Sequence, residues 1–389
     1  MPYIDRELGA HVLHAARGFS SLIVTGPRRA GKTTLLRHLF PSAAYVLLED
    51  PAVVARVRSD PRGFLSDLVL PVILDEVQNA PELFNYVRAL IDAAPRRKGQ
   101  WLFTGSQEAG LMKGVTESMA GRAALLQLLP LSTSETSKVT MFRGGFPEVL
   151  ARPSFRALWF QSYLQTYLER DVRAISSIRD LATFRRFLAL LASRCGQILN
   201  KTDLAAPLGV SVHAITEWLS ILEVTGQVLL VPPFFENFGK RLVKSPRIYF
   251  VDSGLVCHLL GIESEVALRT SPFLGAIWET FVASEIVKQQ LNGGRAKELY
   301  FFRDQQGLEI DFLVPRGNGR LTLVECKAGR TVMPREGGPI ARLKDSPGKY
   351  SIEGFVVYQP ASAGKITTAL LPGIKAVGLP ELLHSLAKR

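Results

Sequence analysis

The run Gly26-Pro27-Arg28-Arg29-Ala30-Gly31-Lys32-Thr33 restricts this chain more than any other stretch. An apolar run, 21–25, precedes it and a helix start, 33–40, follows. In that setting the spacing is a phosphate cradle. Small residues let backbone N–H groups face phosphate oxygens, Lys32 reaches the β- and γ-phosphates, and Thr33 offers a hydroxyl to Mg²⁺. Arg28, Arg29 and Thr34 complete the candidate contacts. The expected ligands are therefore ATP and Mg²⁺, and the expected fold around the loop is an α/β layer with a parallel sheet.

The rest of the first 150 residues agrees. Apolar runs at 44–48, 69–74, 100–104 and 125–129 alternate with helical segments such as 82–92. Buried parallel strands read this way. The run 69–74 ends in Asp75-Glu76. Asp75 is the candidate Mg²⁺ holder, and Glu76 the candidate for orienting the attacking water. The next strand ends in Thr104-Gly105-Ser106, where Ser106 is the chosen γ-phosphate contact. Arg122 precedes the following strand and is a candidate to reach a neighbouring subunit's γ-phosphate. Arg170 and Arg173 are weaker candidates, better read as helix salt-bridge partners.

Residues 151–260 change character. Helical spacing at 154–194 gives way to a short helix, a turn at Gly209, a helix capped by Ser211 and a strand from Val228. That order predicts a winged helix-turn-helix. His213, Thr216 and Glu217 are its candidate groove contacts, Lys201 lies on or near the helices, and Lys240, Arg241, Lys244 and Arg247 form a candidate phosphate-contacting wing. The alternative is a winged helix used for protein packing or as a lid.

Residues 261–389 predict a helix at 275–291 and strands at 298–303, 309–314, 321–326 and 354–358. Glu325 and Lys327, two apart on one strand, share a face. Asp311 on the adjacent strand and Glu279 on the helix can join them as a second candidate site, with Arg303 and Gln305 along the cleft. Paired carboxylates bind Mg²⁺ and a lysine steadies phosphate charge, the logic of a D…ExK phosphodiesterase. The same residues can instead serve packing, or hold DNA or a partner without cutting.

Hydrophobic residues make up 47% of the 389 positions, which excludes wholesale disorder. The formal charge is +12 and is spread along the chain, which permits a polyanionic partner. Cys195, Cys257 and Cys326 form neither a zinc spacing nor a disulfide framework, as expected in a reducing cytoplasm. No apolar run approaches a membrane span of about 18 residues.

GPRRAGKTTLLRHL, VILDEVQNAPELF, LFTGSQ, SMAGRAALLQLLPLS and GGFPEVL together resemble AAA+-superfamily ATPases of bacteria and archaea that carry a C-terminal DUF4143 domain. YLERDV, IYFVDSGL, FFRDQQGLEIDFLV and LVECKAG are similar to the same family. The resemblance implies an AAA+ module, a winged-helix segment and a restriction-endonuclease-like C-terminal fold. It places Arg122 where the family has its arginine finger. Arg29 stands where the family often has Gln. The resulting expectation is three units, 1–150, 151–260 and 261–389. Together they would form an ATP-hydrolysing, DNA-associated motor or remodelling protein acting on duplex or branched DNA. A homo-oligomer is expected, a hexameric ring being one form. A nucleotide-dependent switch that docks a protein, and an ATP-gated nuclease, are the alternatives.

Overall fold

Strands that are apolar at every position need cover on both faces, and the N-terminal sheet has it. The computed structural model describes residues 3–105, 118–168, 181–234, 245–345, 350–360 and 367–388. Its first layer runs α1 (Leu8–Gly18), β1 (Ser21–Thr25), α2 (Lys32–Leu39), β2 (Ala44–Leu47), α3 (Pro51–Ser59), α4 (Pro61–Ser66), β3 (Val72–Asp75), α5 (Leu83–Ala93), β4 (Trp101–Gly105) and β5 (Ala123–Gln127). The five strands are parallel, in the order β2-β3-β4-β1-β5.

The central strands β1, β3 and β4 are buried throughout, whereas the edge strands β2 and β5 are only half-buried. Leu22, Val24, Ile73 and Leu102 pack on Leu8, Val12, Leu35 and Leu36. Ile23, Leu74 and Phe103 pack on Phe64, Phe84 and Val87 across the other face. The two-residue period of each strand thus feeds both layers. β5 begins two residues before its apolar run, because the Arg122 carbonyl already accepts from the Ser21 N–H and pairing starts at Ala123.

The middle region holds α6 (Pro147–Ala151), α7 (Arg156–Tyr163), α8 (Leu181–Ser193), α9 (Lys201–Ala205), α10 (Val212–Val224), β6 (Val228–Val231), β7 (Arg247–Phe250), α11 (Ser253–Leu259) and α12 (Glu265–Thr270). Strands β6 and β7 form an antiparallel pair. Gly209 turns the chain at φ +66 between α9 and α10, and the Ser211 hydroxyl accepts the Ala214 N–H at 3.1 Å. Asp252 ties two sequence motifs together. Its carboxylate caps α11 through Leu255 N–H (3.0 Å) and accepts the Gly145 N–H (2.7 Å). A Cβ at Gly144 would lie 2.1 Å from the same carboxylate, so GGFP and VDSGL fit only with glycine there.

The C-terminal region holds α13 (Leu274–Asn292), β8 (Tyr300–Arg303), β9 (Glu309–Pro315), β10 (Arg320–Cys326), α14 (Gly338–Lys344), β11 (Ser351–Val357), β12 (Thr367–Leu371), β13 (Ile374–Val377) and α15 (Leu379–Ala387). Its mixed sheet has the order β12-β13-β11-β10-β9-β8. The sequence reading did not anticipate β12, β13 or α15. Among the described residues no single helix is long and apolar enough to cross a membrane.

The regions share a core. Leu129, Leu131 and Leu150 pack in one cluster with Trp278, Phe281 and Ile286 of α13 and with Tyr249 of β7. Inside that contact α13 carries a fully buried ion pair, Glu285–Lys288, at 2.9 Å. Glu285 also accepts from the Thr133 N–H (2.7 Å) and hydroxyl (2.6 Å), and Lys288 donates to the Leu131 carbonyl (3.1 Å). Removing one member strands the other charge in the core. Lys288→Met is therefore expected to cost about 3–5 kcal/mol of folding stability, read from the urea midpoint at unchanged slope.

Candidate functional site

The phosphate loop takes its shape from two glycines and a tight approach. Gly26 has φ +142, and a Cβ there would lie 2.0 Å from the Leu128 carbonyl oxygen. Gly31 has φ +97 and leads directly into α2, whose first residue is Lys32. Arg29 also sits at positive φ, +63. Arg6 supports the loop from behind. Its guanidinium donates to the Ala30 carbonyl (2.9 Å), the Leu129 carbonyl (2.7 Å) and Glu135 (2.8 Å). Lys32, 5% exposed, donates to the Gly26 and Pro27 carbonyls at 3.0 and 2.9 Å.

Oxygen atoms gather around Asp75. Thr33 Oγ1 lies 2.9 and 3.0 Å from the two carboxylate oxygens, and the Tyr45 hydroxyl donates to one of them at 2.8 Å. Burial and the neighbouring Asp75 hold the Tyr45 hydroxyl well above its ordinary pKa. Thr104 completes the group: its hydroxyl donates to Asp75 and accepts the Glu76 N–H at 3.3 Å. The β3–β4 register, Leu74 opposite Phe103, sets Thr104 beside Asp75. Sequence reasoning passed over Thr104 and Tyr45. The signal for Thr104 was a polar residue at the end of a buried strand adjacent to the acidic one. Ser106, chosen instead, lies outside the described residues, as do Arg170, Arg173, Lys240, Arg241 and Lys244.

Glu76 occupies a left-handed backbone conformation, φ +57, accepts a hydrogen bond from Gln78, and lies 3.9 Å from Arg28. A non-glycine residue held there is strained, and such residues cluster at functional sites. Arg29 lies 3.5 Å from Glu148. Beside the loop is a cavity of about 230 Å³, lined by Ile4, Arg6, Ala30, Thr34, Leu131 and Pro147 among others. Arg122 stands at the amino edge of the sheet, opposite the phosphate loop, with its fork on both oxygens of Asp92 at 2.6 and 2.9 Å. It points away from the chain's own cradle.

In the middle region α10 buries Ile215, Trp218, Leu219, Ile221 and Leu222. His213, Thr216 and Glu217 are exposed, with His213 3.4 Å from Glu217. Lys201 is half-buried at the start of α9. Arg247 departs from the sequence expectation. It is not an exposed wing residue; it is 3% exposed and points into the C-terminal carboxylates. Its guanidinium lies 3.1 Å from Glu279 and 3.4 Å from Asp311, and it also pairs with Glu309. The pull of three carboxylates on one guanidinium explains the inward turn.

The structure brings Glu279, Asp311, Glu325 and Lys327 together. The antiparallel β9–β10 register, Phe312 opposite Val324, sets Asp311 across from Glu325. Lys327 Nζ lies 3.4 Å from Glu325, and the Cys326 N–H donates to Asp311 at 2.8 Å. The adjoining polar cleft, about 550 Å³, is lined by Asp311, Glu325, Lys327 and Arg342; Gln306 lines it where Gln305 was expected. Arg303 is exposed and meets it only through Glu309, 3.4 Å away.

Three family models match the chain: an AAA domain over residues 19–137, a domain of unknown function (DUF8612) over 134–266, and a domain of unknown function (DUF4143) over 274–382. The N-terminal part is thus an AAA+-like ATPase domain, a class that binds nucleotide, and the C-terminal part is a DUF4143 domain. The uncharacterized protein Rv2008c of Mycobacterium tuberculosis is 35% identical over 322 residues, 79% of this chain and 70% of that protein. The chain belongs to the same family. The uncharacterized protein MJ1544 of Methanocaldococcus jannaschii is 23% identical over 356 residues, 81% of this chain and 76% of that protein. A solved Walker-type ATPase of Pyrococcus abyssi aligns with a TM-score of 0.45 and 16% identity, over 66% of this chain and 96% of that one.

The cleft also has a pH signature. Burial, then the charge of Asp311, pushes Glu279 and Glu325 up to about 8. The folded chain therefore keeps protons that the unfolded chain releases near pH 4.5, the ordinary value for these groups. Their stabilising contribution is full at the acid end and is lost as pH rises through about 8. Urea midpoints measured along a pH series should fall across that window, and Glu325→Gln should flatten the fall.

Proposed function

We propose that this protein is a Mg²⁺-dependent ATPase that uses ATP hydrolysis to remodel or move on DNA. The observation that carries the ATPase reading is the set of hydroxyls converging on Asp75 beside the loop of Lys32. Thr33 and Asp75 are hard oxygen donors 2.9 Å apart, the chemistry Mg²⁺ prefers. They would hold the ion, which when bound supplies charge neutralisation to the β- and γ-phosphates. Gly26 to Thr34 wrap the phosphates with backbone N–H groups, and Lys32 exchanges its two carbonyl partners for phosphate oxygens. The apolar cavity flanked by Ile4, Leu131 and Pro147 takes the adenine base. Glu76, steadied by Arg28 and Gln78, orients the attacking water and accepts its proton. Thr104 holds Asp75 and the Glu76 backbone in register, and Ser106 is the proposed γ-phosphate contact.

Arg122 faces away from its own cradle, which supports a finger acting on a neighbouring copy and hence a homo-oligomer, with a hexameric ring as one form. The proposed units are 1–150, 151–260 and 261–389. The α9–Gly209–α10 corner with β6 and β7 is read as a winged helix, and the DUF4143 sheet with its Asp311, Glu325 and Lys327 as restriction-endonuclease-like. The +12 charge supports a DNA partner. A second reading, a nucleotide switch that docks a protein, is favoured by α10, which carries no Lys or Arg.

Lys32→Ala should abolish ATP turnover, and Glu76→Gln should lower it by roughly 10²-fold or more while nucleotide still binds. Thr104→Val should lower kcat by roughly 10–10²-fold, the worth of a hydrogen bond to a charged group. Duplex or branched DNA should raise wild-type turnover. Turnover indifferent to every DNA form, with no DNA binding at low salt, would leave the protein-docking reading. An unaltered rate in Lys32→Ala would remove the ATPase reading itself.

A further inference from the structure

The C-terminal carboxylates are not arranged to receive a divalent cation in this conformation. Mg²⁺ needs oxygen lone pairs converging at about 2.0–2.1 Å. Here at least one oxygen of each carboxylate faces a protein donor. One Asp311 oxygen faces Arg247 and the other accepts the Cys326 N–H. Glu279 Oε1 takes both Arg247 (3.1 Å) and the Tyr249 hydroxyl (2.5 Å). Glu325 Oε2 faces Lys327. Among the described residues no group of three His, Cys, Asp or Glu side chains stands ready for a metal.

The cation facing Glu279 and Asp311 is Arg247, and its placement is built in. Arg247 and Tyr249 are two apart on β7, so both reach Glu279 from one face of the strand. Neighbouring backbone pins that strand: Ile248 N–H donates to the Gln197 carbonyl, and Gly196 N–H to the Ile248 carbonyl. A Cβ at Gly196 would lie 3.1 Å from Glu279, so this turn closes on the carboxylate directly. The guanidinium lies 4.9 Å from the centre of the Phe301 ring. Arg247 belongs to the region matched over 134–266, whereas all its carboxylate partners lie in the region matched over 274–382. One strand of one region therefore neutralises the cluster of the next, beside a cleft of about 550 Å³.

We propose that Arg247 is a guanidinium latch: beside Glu279 and Asp311, with Glu325 across from Asp311, it takes the place of a divalent cation and is what keeps the cluster from holding one. The latch does not require ATP use, so its test omits nucleotide. Mn²⁺ uptake by the full chain would be followed by the resonance of free Mn²⁺, with thermal melting in parallel. Wild type and Glu325→Gln should take up the same amount, because the cleft is closed in both. Arg247→Met should take up an additional equivalent and melt higher as Mn²⁺ rises, and both effects should vanish in the Arg247→Met, Glu325→Gln double variant. Arg247→Gln removes the charge but keeps a hydrogen-bonding head, and replaces Arg247→Met if the latter does not fold; it should gain the same Glu325-dependent uptake. Uptake by wild type that Glu325→Gln abolishes would overturn the latch, as would an Arg247 variant that folds and takes up no more than wild type.

Discussion

The buried pair Glu285–Lys288 is the interaction on which the relation between the two candidate sites depends. Two charges at 0% and 2% exposure are tolerable only when each finds a partner and their other polar atoms are satisfied. Both conditions are met by the segment that leaves the N-terminal sheet: Thr133 caps Glu285 twice and the Leu131 carbonyl accepts from Lys288. The same segment supplies the Leu129 carbonyl and Glu135 to Arg6, whose third contact is the phosphate-loop carbonyl of Ala30. A run of charge-assisted contacts thus reaches from α13 to the nucleotide cradle. Six residues before Glu285 on the same helix stands Glu279, which belongs to the C-terminal carboxylate cluster.

The middle region touches both ends of that run. Gly226, just past α10, lies against the loop: a Cβ there would be 3.1 Å from Pro27. On its other side β7 inserts Arg247 and Tyr249 beside Glu279. Asp252, two residues beyond β7, clasps Gly145 in the segment running from Ser132 to α6. Tyr249 and Val251 share a hydrophobic cluster with Leu131, Phe281 and Phe312, so shifting β7 alters packing as well as charge. Tightly packed interiors pass such a shift on rather than absorb it.

What was legible in the sequence is what local chemistry determines. The strands β1, β3 and β4 announced themselves as unbroken apolar runs because both faces are covered. Ser211 and Gly209 marked the α9–α10 corner because a cap and a left-handed turn each need a particular residue type. Glu279, Asp311, Glu325 and Lys327 could be grouped because the spacing of Glu325 and Lys327 fixes one face. Arg247 could not be placed. In the string RIYF a charged residue reads as outward-facing, yet every residue of β7 is buried. The direction of that side chain is set by carboxylates some 30 to 65 residues later, which local pattern does not contain. Thr104 failed for a similar reason, since its value comes from the register of β4 against β3. The strands β12 and β13 went unread because β12 is exposed over much of its length and lies at the sheet edge, where burial imposes little pattern.

The inward turn of Arg247 bears on how the basic balance should be read. A buried cation is lost to any external polyanion, and five are buried here: Arg6, Lys32, Arg156, Arg247 and Lys288. Five carboxylates are buried as well: Asp75, Asp252, Glu285, Asp304 and Glu325. Among the described residues the two counts match, and Glu325, pushed up to about 8 by burial, keeps its proton below that pH rather than stand as a buried charge. Among the described residues the excess positive charge lies outside the core, where it can attract phosphate by long-range field and be screened by salt. Losing Arg247 as a wing contact removes one local argument for nucleic acid and leaves the global one standing. The exposed face of α10 offers no cation to a groove. In the DNA reading proposed above, attraction would rest on charge spread over the surface, and such attraction carries affinity without base-sequence preference.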